Sequence, residues 1–190
     1  MLIPTLILVS IVVGVLRGGS LRHFADLPLR WIPLIVASFA LQLLLFTPFR
    51  RQPLISVAVE PLYIVSMLMA IVWVARNWHI PGMPLIALGL LMNTVAIVAN
   101  GGHMPVSAAS AAYAGKIGNF AAGADVSNNS QLADASQVHL WVLTDIIPLP
   151  SWFPLANVFS IGDVLLVIGI MFLCYQTVRH TPPATQPVGV

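Results

Sequence analysis

The chain reads as an all-α integral membrane bundle of about five transmembrane helices, with an interfacial or re-entrant segment in the long connection before the last helix. Three observations predict this. Of 190 residues, 58% are hydrophobic and only 7% are charged, where a soluble domain carries about a quarter charged residues. The apolar residues fall in five runs near the ~20 residues that a bilayer core demands. Three of the four connections are short, and one, residues 101–159, is long.

The first run, Leu2 to Leu16, has Pro4 in its first turn, where a missing N–H costs little. No basic residue precedes it and no small-residue cleavage pattern follows it, so it reads as a retained helix and not as a signal peptide. The second run, Trp31 to Phe49, is bounded by Trp31 and by Arg50 and Arg51. The third, about Ile55 to Val74, ends at the interfacial aromatics Trp73 and Trp78. Pro84 opens the fourth and Asn100-Gly101-Gly102 closes it, the expected asymmetry of helix start and stop signals. The fifth spans about 160–177, and the proline-rich residues 180–190 read as a disordered tail.

Basic residues orient the bundle. Arg17, Arg22, Arg30, Arg76 and Arg179 fall on one side, and Arg50, Arg51 and Lys116 on the other. The positive-inside rule then places the N-terminus outside and the C-terminus in the cytoplasm. Residues 101–159 lie outside on that topology. Within them, a short helix is expected after Pro105, a mobile polar loop at Asp125 to Ser136, and an interfacial apolar piece at His139 to Ile147.

Several function classes fall away. A net charge of +2 without a basic stripe is no nucleic-acid footprint. The single Cys174 excludes a disulfide framework within the chain. No metal-ligand spacing, phosphate loop, Rossmann fingerprint or nucleophile elbow occurs, so no metal or cofactor is expected. No internal repeat supports an inverted-repeat transporter.

The polar residues that remain gather at the predicted outer face. Ser160 and Asp163, three apart before an apolar run, form a capping box: the hydroxyl accepts a free N–H and the carboxylate faces the positive helix end. Should the helix start earlier, Asp163 lies deeper and becomes a functional acid. Asn100, Gly101, Gly102 and His103 make an abrupt turn that either ends a helix or cradles a polar group. Glu60 sits early in the third helix, and Asp145 closes the outer apolar segment. Gln42 and Asn93, mid-helix, are expected to bond to neighbouring helices.

The stretches Leu16-Arg17-Gly18-Gly19, Asn100-Gly101-Gly102-His103-Met104-Pro105-Val106, His139, Asp145-Ile146-Ile147-Pro148-Leu149-Pro150 and Phe159-Ser160-Ile161-Gly162-Asp163-Val164 carry a resemblance. Together they make the chain similar to a bacterial family of small multi-spanning membrane proteins, number 5317 among the domains of unknown function. Thr144 stands where the family pattern has Gly. The resemblance covers nearly the whole chain and implies residence in the bacterial inner membrane and a shared outer polar region. It brings no reaction or substrate.

Its motifs share one predicted face, which suggests a polar cup of Asn100, Gly101, Gly102, His103, Asp145, Ser160 and Asp163, joined by Glu60. Small size and the missing reaction motif favour an accessory or structural subunit of a larger membrane complex, with the bilayer and other membrane subunits as partners. The alternative is a protein that binds or moves a lipid, quinone or small solute through the cup, with Trp141 and Trp152 walling the ligand. A second alternative is an intramembrane enzyme using Asp163 or Glu60 with His103.

Overall fold

The computed structural model describes residues 2–46, 58–119 and 130–179. It is mostly helical. Five apolar helices are α1 (Leu2–Leu16), α2 (Ile32–Leu45), α3 (Val59–Arg76), α4 (Met83–Ala99) and, last in the chain, α6 (Ile161–Arg179). Among the described residues, only α3 and α6 are long and apolar enough to cross a membrane by length and composition; α1, α2 and α4 are shorter. The second helix ends at Leu45, four residues before the expected Phe49, with the Phe46 N–H bonded to the Gln42 carbonyl. The expected start of the third helix near Ile55 and the tail 180–190 lie outside the described residues.

The helices pack as a row, α2 on α3, α3 on α4, α4 on α6, and α6 on α1. The tightest joint is between α4 and α6, and glycine makes it. A Cβ on Gly89 would meet the Gly162 carbonyl oxygen, and one on Gly82, the residue just before α4, would meet the Gly169 carbonyl oxygen. The two pairs sit seven residues apart on each chain segment and run in opposite directions. The helices are therefore antiparallel, with their backbones in direct contact along two turns. The α2–α3 joint is fixed by a buried hydrogen bond from the Ser38 hydroxyl to the Ser66 carbonyl.

Residues 101–119 and 130–159 form a folded cap over one end of this row, and the expectation of a mobile loop from Asp125 to Ser136 is corrected at Ser130–Ala133. Those residues are a strand, β2, parallel to β1 (Met104–Ser107), with Met104 opposite Ser130 and Ser107 opposite Ala133. Residues 120–129 lie outside the described set. All four residues of β1 are buried, and its main chain is paired on both sides. On the far side of β1, the Asp145 N–H donates to the Pro105 carbonyl and the Ser107 N–H to the Asp145 carbonyl, both at 3.0 Å.

The short helix expected after Pro105 is α5 (Ala108–Tyr113), N-capped by the Ser107 hydroxyl. The segment His139 to Ile147 contains a single 3-10 turn, Trp141–Leu143, and then extended backbone. Two-residue strands β3 (Ile147–Pro148) and β4 (Val158–Phe159) pair antiparallel and return the chain to α6. Val106, Ala111, Ala114 and Val158, with Leu132 against them, give the cap a small apolar core of its own.

Candidate functional site

The start of α6 organises the site. The Ser160 hydroxyl accepts the Asp163 N–H at 2.9 Å, and the Asp163 carboxylate accepts the Ser160 N–H at 3.2 Å. This is the reciprocal capping box that the spacing of the two residues predicts. Neither side chain stops there. The Ser160 hydroxyl donates to the Asn93 side-chain Oδ1 at 2.8 Å, and the Asn93 side-chain amide donates to Asp163 at 2.7 Å. Asn93 on α4 thus bonds a neighbouring helix, as a mid-helix amide is expected to. Gly162 lets it approach, because a Cβ there would overlap the Asn93 amide.

Beside this triad lies a cleft of about 240 Å³ between the cap and the helices. Asp163 and Asp145 both line it, with Tyr63 from α3, Asn93, and Phe159 from β4. Phe46 joins them, its ring set edge-on to Tyr63 with centroids 5.2 Å apart. Among the described residues, no basic side chain lines it.

Asp145 is the unusual member. Its main chain is fixed by β1, its side chain is 7% exposed, and its Oδ1 has no hydrogen-bond partner. Burial pushes its carboxyl up to about 8, and the charge of Asp163 adds to the effect. A carboxyl of this kind is protonated at neutral pH until a positive group arrives.

The other expected site residues serve elsewhere. Asn100 ends α4, where the Gly102 N–H bonds the Ile97 carbonyl and Gly101 and Gly102 take positive φ, a Schellman motif. The Asn100 side chain clasps the cap: it accepts the His139 N–H and donates to the His139 carbonyl, each at 2.9 Å. His103 stands 3.7 Å from Glu60, a partly exposed pair whose attraction depends on protonation of the imidazole. Gly102 makes room for it, since a Cβ there would strike the Glu60 side chain. Asn100 lies seven residues beyond Asn93, roughly 10 Å along the helix axis.

The eight expected residues therefore divide. Asp145 and Asp163 line the cleft and Ser160 bonds Asp163 and Asn93 behind it, while Asn100, Gly101, Gly102, His103 and Glu60 lie where the cap meets the helices. Trp141 lies against a different hollow, beside Ser107 and Leu132, and Trp152 is 79% exposed, so neither tryptophan lines the cleft. Among the described residues no three His, Cys, Asp or Glu side chains gather as a metal set.

Sequence reasoning missed Tyr63, Phe46, Asn157 and Phe159 as lining residues. One signal was available: Phe159 and Asn157 directly precede the capping serine, so the cap must deliver them to the start of α6.

A family of unknown function (DUF5317) matches residues 26–175, and the chain belongs to that family. The matched stretch contains every residue that lines the cleft. No curated protein and no solved structure matches the chain significantly.

Proposed function

We propose, taking membership of this family as the premise, that the protein is a multi-pass membrane protein of the bacterial inner membrane that binds a small ligand in the cleft beneath its outer cap. The exposed faces of the helices support the membrane reading. Only 28% of the apolar window of α3 and 33% of that of α6 are buried. Leu8, Phe39, Leu43, Leu68, Leu91 and Phe172 all point outward. A core helix of a soluble protein hides most of such a window, whereas lipid asks for the opposite.

The three shorter helices pack beside the two long ones and complete a five-helix membrane unit. The distribution of arginines puts the cap outside and the end of α6 in the cytoplasm. The piece around Trp141 then lies near the outer interface, with Val142 and Leu140 exposed towards it.

The observation that carries the ligand reading is the unpartnered, buried oxygen of Asp145 at the wall of a cleft it shares with Asp163. Buried polar atoms are hydrogen-bonded in the great majority of cases. One left unpaired beside a cavity calls for a partner, a water or a bound group. A subunit whose only task is docking has no use for such a cleft.

Mass spectrometry of the protein extracted gently from its native membrane tests this. A small molecule retained by the wild type and absent from Asp145→Leu, which removes both oxygens at similar volume, is the expected result. Stoichiometric partner proteins with an empty cleft would instead make the chain an accessory subunit.

A further inference from the structure

We propose that the ligand of the cleft carries an alkylammonium group, held between the carboxylates of Asp145 and Asp163 and the aromatic faces of Tyr63, Phe46 and Phe159. This deepens the proposed ligand-binding function and rests on it. The argument begins with sign. Among the described residues, two carboxyl groups line the cleft and no basic side chain does, so an anion meets repulsion from them.

The rest of the wall then selects among cations. A divalent metal asks for six or more oxygen ligands in a tight shell. Here much of the lining is carbon and sulfur: three aromatic rings, Ile97, and the thioethers of Met67 and Met104. An ammonium bearing methyl or methylene groups suits both parts of this wall. Its charge meets the carboxylates, its alkyl surface meets the apolar residues, and aromatic faces attract it through their quadrupoles. The volume of about 240 Å³ is ample for a small amine or a lipid headgroup.

The polar groups are arranged to leave one place for the charge. Asp163 is occupied by the Ser160 N–H and the Asn93 amide. Asn93 turns its own oxygen to Ser160. Asp145 Oδ1 alone is buried without a donor, and an N–H or N–CH₃ edge of the ligand would supply what it lacks.

Proton release follows. Among the described residues, the titratable groups lining the cleft with Asp145 are Asp163 from α6 and Tyr63 from α3, and none is a base. Because Asp145 holds its proton to about pH 8 in the free protein, a cation binding at pH 7 expels it, and affinity rises as pH climbs from 6 to 8.

The test uses the full chain in nanodiscs of phosphatidylglycerol, titrated by calorimetry with choline, ethylammonium, acetate and glycerol. Saturable binding of choline or ethylammonium, with none of acetate or glycerol, is expected. Asp145→Asn, which keeps the main-chain bonds to Pro105 and Ser107, should weaken it at least tenfold. Phe159→Leu should weaken choline several-fold and serves if the first variant fails to fold. A second set of nanodiscs containing phosphatidylethanolamine separates the sources: a lipid headgroup in the cleft would be co-retained in mass spectrometry and would block choline.

Neither amines nor phosphatidylethanolamine binding, or binding indifferent to both substitutions, would overturn the proposal. If a different small molecule is retained and lost with Asp145→Leu, the ligand-binding reading survives and the ammonium inference alone falls.

Discussion

At its first residues α6 is held by its own side chains and by Asn93, and a carboxyl group nearby is left with an open oxygen. At its last residues the same helix is held by the main chain of another segment. The Val178 carbonyl there accepts the Ser20 N–H at 2.8 Å and meets His23 Nδ1 at 3.0 Å. Arg17 and Arg179 both donate to the Tyr175 hydroxyl at 3.2 Å. A hollow exists at that end too, of about 360 Å³, but its wall mixes His23, His79 and Arg179 with Asp26.

The contrast shows what separates a structural end from a site. Both ends are polar, both are partly hollow, and both satisfy helix termini. Only in the cleft at the cap end are the charged side chains among the described lining residues all acidic, with a buried oxygen left over.

The largest effect that would break this comparison is loss of the joint that builds the cap end. Gly162→Leu would drive a side chain into the Asn93 amide and the Gly89 backbone. Neither can retreat without parting α4 from α6, so the cost should reach at least about 3 kcal/mol. Thermal unfolding of the purified protein in detergent should show the variant melting far below the wild type or failing to accumulate. A modest shift would mean the two backbones are not in contact.

Asp145 offers the next effect, readable as a pH dependence. Its folded carboxyl is raised to about 8 by burial and by Asp163, against about 3.9 unfolded. Between those values the folded state keeps a proton that the unfolded state has lost. Stability is therefore full below about pH 4, falls as pH rises towards 8, and levels above it. The total loss should be on the order of a few kcal/mol. Melting temperature against pH checks it: Asp145→Asn should flatten the curve across this window and exceed the wild type at pH 8. A wild-type curve already flat between pH 5 and 8 would show that the carboxyl is solvated.

Asn93→Ala should cost about 2 kcal/mol, because it strips the Ser160 hydroxyl of its acceptor and one Asp163 oxygen of its donor in a single change. The same variant sharpens the site comparison, since it frees Asp163 without touching Asp145. Urea or thermal denaturation gives the stability, and choline affinity should change by far less than in Asp145→Asn.

How much of this could be read beforehand follows the range over which each signal acts. The capping box of Ser160 and Asp163 and the helix stop at Asn100-Gly101-Gly102 were legible because a helix terminus is a local problem with few chemical solutions. Asn93 was legible as an interhelical bond because a lone amide in an apolar run has few alternatives. The seven-residue spacing of Gly82 and Gly89, and of Gly162 and Gly169, stood in the sequence too. Its meaning depends on which two helices meet, and no local pattern says that.

The cap was misjudged for a related reason. Met104–Ser107 holds a proline and no alternation, so it carries no period of two. It is a strand only because Ser130–Ala133 and Asp145 pair with it from distant positions. The cleft draws on several separate stretches of chain at once, and the single cup expected from sequence therefore divided into a cleft and a set of joints.

The smallest predicted effect tests that division. Glu60 and His103 are both partly exposed and 3.7 Å apart, beyond hydrogen-bond reach. An exposed pair of this kind is worth at most about 1 kcal/mol. Glu60→Gln preserves the aliphatic carbons that pack against Gly102 and removes only the charge, so its melting temperature should stay within a few degrees of the wild type. Ligand retention should be unchanged, because neither residue lines the cleft. Gly102→Ala, by contrast, must place a Cβ against Glu60 at a positive φ of 91°. The joint should suffer there although no charge has changed. If Glu60→Gln proved as damaging as Gly102→Ala, or emptied the cleft, the acid would belong to the site after all, and the boundary between the cleft and its supports would have to be redrawn to include the first turn of α3.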